Sequence, residues 1–164
     1  AICSGEKQGY VYARTANRTN TVLEKRLAAM EGGEACLVTS SGLAAIFIAI
    51  LGLLEEGGKN FVCSNRLYGN TQNMFRATFP MMNFESRWVT KPYELGEWEK
   101  LIDKNTKFLL VESPSNPDVF VGDILGLAKL AKKHGIKLMI GTMILTQAGL
   151  LRRAIASPIP VKAV

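Results

Sequence analysis

Blocks of apolar residues alternate with polar, turn-forming stretches along the chain, and the period inside the blocks switches between that of a helix and that of a buried strand. Val22, Leu23, Leu27 and Met30 recur at helical spacing, with Asn20 or Thr21 as the expected cap and Glu24 completing a capping box. Gly32-Gly33 is the expected stop. Residues 35–39 predict a short apolar strand, Ser40-Ser41-Gly42 a turn, and residues 43–54 an apolar helix ended by Gly57-Gly58. Strand and helix then alternate: strand 60–64, helix 71–78, strand 87–90, and helix 94–102 with Leu95, Trp98 and Leu101 on one face. The clearest strand is 107–112, a continuous apolar run of the kind buried on both faces of a parallel sheet. Helix 124–134 and strand 136–140 follow a Ser-Pro-Ser-Asn-Pro turn.

This alternation predicts an α/β fold with three layers, a mostly parallel sheet between helices. Residues 1–18 show no sustained period and read as an extended arm. With 164 residues, 48% of them hydrophobic, the chain can bury one sizeable core and no second full domain.

Charge and cysteine content narrow the function classes. The net charge of +6 admits an anionic ligand, but the basic residues are scattered, without the block or aromatic interleaving of a nucleic-acid groove. Cys3, Cys36 and Cys63 lack the paired spacing of a metal site or disulfide scaffold and read as reduced thiols of a cytoplasmic protein. The apolar stretch 43–54 is too short to cross a bilayer, and residues 1–20 lack the layout of a signal peptide. His134, the single histidine, stands before Gly135 where a helix ends and reads as a C-cap, so triads that need a histidine are poorly supported.

Ligands of open parallel sheets bind at the carboxyl ends of strands, where helix N-termini offer free N–H groups to anions. Three segments have that placement. Thr39-Ser40-Ser41-Gly42-Leu43 could hold a phosphate on backbone amides plus a hydroxyl, or be an ordinary cap; it matches neither the P-loop nor the dinucleotide fingerprint. In Leu67-Tyr68-Gly69-Asn70-Thr71 the tyrosine offers a flat face for a heteroaromatic ring and a phenol for proton transfer, or packs on its own loop. Glu112-Ser113-Pro114-Ser115-Asn116-Pro117 aims a short amide outward between two prolines, unless Asn116 only satisfies turn amides.

Taken together and in order, these segments resemble the pyridoxal-phosphate (PLP) enzymes of cysteine and methionine metabolism, which include cystathionine synthases and lyases, methionine γ-lyase and O-acetylhomoserine sulfhydrylase. Tyr10-Val-Tyr12-Ala-Arg14-Thr-Ala-Asn17-Arg-Thr19 is similar to the family's Tyr-x-Tyr-x-Arg-x-x-Asn-Pro-Thr arm. Thr39-Ser-Ser-Gly-Leu43 is similar to its phosphate turn, Leu67-Tyr-Gly-Asn-Thr71 to its Tyr-Gly-Gly-Thr loop, and the segment 112–117 to its acidic turn. The resemblance implies the large domain of a fold-type I PLP-dependent transferase over residues 19–164, in part, with the C-terminal domain absent. It implies that Tyr12 and Arg14 reach into a neighbouring subunit to bind the cofactor phosphate, so that a homo-oligomer forms through the arm. Gly42 and Leu43 would supply N–H groups to that phosphate and Ser41 a hydroxyl. Tyr68 would stack on the pyridine ring and serve as the catalytic proton donor, and Asn116 would bond the ring hydroxyl oxygen. The implied reaction is elimination or replacement at the β- or γ-carbon of a small amino acid such as cystathionine, methionine or an O-acylhomoserine.

The departures set a second expectation. Arg18 stands where the family has proline, which would loosen the turn there, and Gly141 stands where it has the aspartate that pairs with the ring nitrogen. Past Gly141 the resemblance weakens, and no Ser-x-Thr-Lys occurs; Lys162 lies near the place of the cofactor lysine but in Pro-Val-Lys-Ala. The chain therefore reads as truncated and inactive by itself, or as a non-catalytic domain that keeps phosphate binding or subunit association.

Overall fold

The computed structural model describes residues 9–10, 12–13, 17–54, 59–142 and 162–163. Five parallel strands form one sheet in the order β2-β1-β3-β4-β5: β1 (Asn60–Ser64), β2 (Glu85–Val89), β3 (Thr106–Glu112), β4 (Lys137–Gly141) and the short β5 (Lys162–Ala163). Side chains alternate across the strands, and both faces are apolar because both are covered. Phe61, Cys63, Phe108, Leu110 and Met139 face a layer built by α2 (Gly42–Leu54) and by α3 (Gly69–Asn73) with its continuation. Val62, Leu109, Val111, Leu138 and Ile140 face the opposite layer, α5 (Leu95–Leu101) and α6 (Ile124–Lys133), where Trp98 is fully buried. The three-layer α/β architecture is thus observed.

Element bounds follow the sequence pattern within a few residues, with three informative exceptions. α1 (Arg18–Glu31) starts earlier than the Asn20 or Thr21 cap predicts: the Asn17 side chain accepts from the Thr19 amide, and Glu24 closes no capping box. The Glu24 carboxylate instead accepts from the Val38 amide at 3.0 Å. Arg18 is consequently the first helical residue, a position that proline and non-proline residues can both occupy because its N–H has no acceptor within the helix. Residues 35–39 are not a strand; no described strand pairs with them, and among the described residues their bond to another element is that Glu24 contact. Helix 71–78 extends over Gly69–Met81: α3 runs through a π turn at Met74–Thr78, where the Phe79 amide reaches back to Met74 O, into the short α4 (Phe79–Met81); the wider turn precedes Pro80, which has no amide to donate. Gly32 ends α1 with φ 66° and His134 is the C-cap of α6, both as predicted, while Gly57-Gly58 lies outside the described residues.

The strand order has a consequence for ligand binding. From β1 the chain moves outward to β2 and then returns to β3 on the other side of β1. The helix after β1 packs on one face and the helix after β3 on the other, so the two connections diverge at the carboxyl ends of β1 and β3, the place where open parallel sheets bind their ligands.

Candidate cofactor site at the carboxyl edge of the sheet

Tyr68 ends the loop after β1 and Asn116 lies in the turn after β3, so both lie at the carboxyl ends of neighbouring strands. The third segment arrives from α2. Near its C-terminal end Leu53 shares a cleft with Thr106 and Lys137, the first residues of β3 and β4. α2 therefore runs against the strands, and its length of about 20 Å carries its N-terminus, Gly42, toward their carboxyl ends.

Ser41 caps α2: its hydroxyl accepts from the Ala44 amide at 3.1 Å and its carbonyl from the Ala45 amide at 3.0 Å, while Thr39 Oγ1 donates to the same carbonyl at 2.9 Å. The N–H groups of Gly42 and Leu43 have no acceptor among the described residues. A Cβ at Gly42 would meet nothing within 4 Å. Unengaged amides at a helix N-terminus are the kind of group that donates to anions.

Tyr68 is 38% exposed and accepts from Asn70 Nδ2 through its phenol oxygen at 3.3 Å. Its own amide donates to Glu112 Oε2 at 2.6 Å. Glu112 is buried at the end of β3, on the sheet face that also carries Leu110 and looks toward α2. Burial pushes its carboxyl above the ordinary value, the Tyr68 amide works against that shift, and the Asp118 charge adds to it. Asp118 is itself held below its ordinary value by the Ser115 hydroxyl and by Arg66, with which it forms an ion pair.

In the turn after β3, Ser115 is the residue that satisfies local amides: its hydroxyl accepts from Phe120 N and its carbonyl from Val119 N, each at 3.0 Å. Asn116 is half-buried and its amide makes no hydrogen bond among the described residues, which removes the reading in which it serves only the turn. Tyr12 is 59% exposed, and Arg14 lies outside the described residues. Gly141 pairs in register with Glu112, and a Cβ there would come no closer than 3.9 Å to it, so the position has room for a side chain it does not carry. The Glu112 contact with Tyr68 was not foreseen from sequence; a carboxylate ending the most apolar strand of a sheet was the available signal.

The model of the Cys/Met metabolism PLP-dependent enzyme family matches residues 2–160. The chain belongs to that family. A Kluyveromyces lactis homocysteine/cysteine synthase is 45% identical over 137 residues, covering 82% of this chain and 30% of its own length. The O-acetyl-L-homoserine sulfhydrylase 1 of Thermus thermophilus is 40% identical over 132 residues, or 80% of this chain and 31% of its own. A Campylobacter jejuni structure described as an O-acetylhomoserine (thiol)-lyase, which carries N'-pyridoxyl-lysine-5'-monophosphate, superposes with a TM-score of 0.77 at 35% identity and covers 85% of this chain and 34% of that one. The chain thus spans about a third of the length of the relatives it matches. PLP is the family's cofactor, and the donor set described here fits it: free amides for a phosphate, an exposed aromatic face for a ring, and an unengaged amide side chain. Among the described residues no helix is long and apolar enough to cross a membrane, and no group of His, Cys, Asp or Glu is arranged to hold a metal ion.

Proposed function

We propose that this PLP-family chain forms the phosphate-and-ring site of an O-acetylhomoserine sulfhydrylase, an enzyme that joins sulfide to the carbon skeleton of O-acetylhomoserine in the cytoplasm. The observation that supports the reading is that the Gly42 and Leu43 amides and the Asn116 side chain have no hydrogen-bond partner among the described residues, in a member of this family whose Tyr68 is exposed. The sulfhydrylase assignment within the family rests on relatives such as that of Thermus thermophilus.

Bound PLP supplies an electron sink for the α-carbon of an amino acid. The protein supplies the rest. Gly42 and Leu43 would donate to the phosphate through their amides and Ser41 through its hydroxyl hydrogen; Tyr12 and Arg14 would complete the grip from a neighbouring subunit, Arg14 with the planar, multiple donors that suit phosphate. Tyr68 covers one face of the ring and carries a proton at its phenol. Asn116 donates to the ring hydroxyl oxygen. A polypeptide of these 164 residues alone contains no Ser-x-Thr-Lys and has Gly141 in place of an aspartate, so it binds the cofactor reversibly without turnover.

The empty side-chain position at Gly141 favours one further reading, a non-catalytic domain that retains phosphate binding or subunit association. Titration with pyridoxine 5'-phosphate, which has no aldehyde, against pyridoxine tests the site: the phosphate form binds and inorganic phosphate displaces it, whereas equal or absent binding of the two contradicts the reading. Incubation with PLP, O-acetylhomoserine and sulfide should yield no homocysteine; homocysteine formation abolished by Lys162→Ala would assign the cofactor lysine to Lys162 and refute the inactivity of the polypeptide.

A further inference from the structure

The loop that bears Tyr68 and the turn that bears Asn116 are fastened to each other at two points, and neither fastening belongs to the set of groups assigned to the cofactor. The inner one is the Glu112 carboxylate on the Tyr68 amide at 2.6 Å, across 44 residues of sequence. The outer one is the Arg66–Asp118 ion pair, with Asp118 also taking the Ser115 hydroxyl. Between them the chain 65–68 has little freedom: Leu67 is buried in the core, its carbonyl accepts from Gln72 Nε2 at 2.8 Å, and the Arg66 amide donates to Ser64 Oγ at 2.9 Å.

We propose that Glu112 and Asp118 are positioning residues that clamp the Tyr68 loop to the Asn116 turn, so that the tyrosine face and the amide are held in fixed relation before any ligand arrives. Its link to the ring rests on the proposed cofactor site; the clamp itself is a property of the ligand-free chain. The two arms differ in strength. Glu112 is buried and its bond is charge-assisted and short, conditions under which such a bond is strong. Arg66 and Asp118 have side chains 46% and 34% exposed, so salt screens that arm and its worth is small. Glu112 works by reach: an oxygen at the end of a three-atom stem below the Tyr68 amide. Charge strengthens the bond but is not required for an oxygen to accept it.

That distinction supplies the test. Glu112→Gln keeps the reach and loses the charge, whereas Glu112→Asp keeps the charge and loses the reach; both are mild enough for the domain to fold. Amide hydrogen exchange of the full chain without ligand is expected to show the Tyr68 amide exchanging about tenfold or more faster in Glu112→Asp and within about twofold of the parent in Glu112→Gln. Pyridoxine 5'-phosphate affinity should fall in parallel in Glu112→Asp and recover in Glu112→Gln. Asp118→Asn should produce a smaller acceleration that high salt reproduces in the parent chain. Unchanged Tyr68 exchange in Glu112→Asp, or exchange in Glu112→Gln as fast as in Glu112→Asp, overturns the clamp. If the parent chain binds no pyridoxine 5'-phosphate, the cofactor reading fails, and the exchange arms still decide the clamp.

Discussion

The two edges of the sheet use polar groups in different ways. At the amino edge Thr106 Oγ1 donates to Asn60 Oδ1 at 2.6 Å, Asn60 Nδ2 donates to Asp103 Oδ1 at 3.1 Å, and the Asp103 amide returns to Thr106 Oγ1 at 2.9 Å. Arg87 closes the ring from β2, with NH2 on Asp103 at 2.9 Å and NH1 on the Leu101 carbonyl at 3.0 Å. Asn60 and Thr106 are buried, so this polarity is internal and satisfied. At the carboxyl edge the amides of Gly42 and Leu43 and the side chain of Asn116 have no partner among the described residues, and Tyr68 is 38% exposed. The polar groups of the amino edge bond one another and register the strands; the carboxyl edge has such bonds too, at Glu112, Arg66 and Asp118, but it also carries donors with no acceptor among the described residues. A polar cluster in an α/β domain thus reads as structural or functional by whether its donors are already engaged.

The largest effect that sharpens this contrast is expected from Asn60→Ala. It strips two buried or half-buried groups of their partner and should lower unfolding free energy by about 2–3 kcal/mol, while the affinity of the folded fraction for pyridoxine 5'-phosphate stays unchanged; urea unfolding and ligand titration measure the two. Gly42→Val is the converse. Its side chain has room in the ligand-free chain but crowds the amides proposed to hold the phosphate, so affinity should drop about tenfold or more, equivalent to ~1.4 kcal/mol or more, with the melting temperature retained.

Titration separates the edges next. Asn60, the Asn105 amide, Arg87 and Thr106 hold the Asp103 carboxyl well below its ordinary 3.8. Its stabilisation is therefore complete above pH 3.8 and is lost as pH falls below that value toward the folded one. Glu112 has the opposite sign: its carboxyl is raised above 4.5, so its ionisation costs stability as pH rises from 4.5 through the folded value. Unfolding measured across pH should show the first slope flattened in Asp103→Asn and the second in Glu112→Gln. The smallest effect belongs to Gly141→Asp. The position accepts a side chain, and the added charge beside Glu112 should cost about 1 kcal/mol or less at neutral pH, diminishing as Glu112 protonates; a large loss at all pH values would show that the site is sterically closed.

Much of this organisation is legible in the sequence, and what is not has a physical pattern. Strands β1, β3 and β4 and helices α5 and α6 announce themselves because burial on a defined face leaves a periodic trace. Residues 35–39 carry the same apolar trace, yet pairing is a non-local property, and in the structure Glu24 takes the Val38 amide where a neighbouring strand would have been needed. The start of α1 was misplaced for a related reason: Glu24 fits a capping box by spacing, but Asn17 does the capping and frees Glu24 for that longer contact. At the site, residue types and order pointed to Ser41, Gly42, Leu43, Tyr68 and Asn116. The Glu112–Tyr68 bond spans 44 residues and exists only because the sheet order sets β1 beside β3, which no local pattern encodes.

The central claim is that the open donors of the carboxyl edge form one site, and it is tested most directly by following backbone and side-chain amide resonances of the labelled chain during titration with pyridoxine 5'-phosphate. The account predicts saturable shifts at Gly42, Leu43, Tyr68 and the Asn116 side chain, with Asn60, Lys104 and Thr106 unmoved. Shifts concentrated instead in the basic cleft of the amino edge, at Lys104, Lys107, His134 and Lys137, would contradict it.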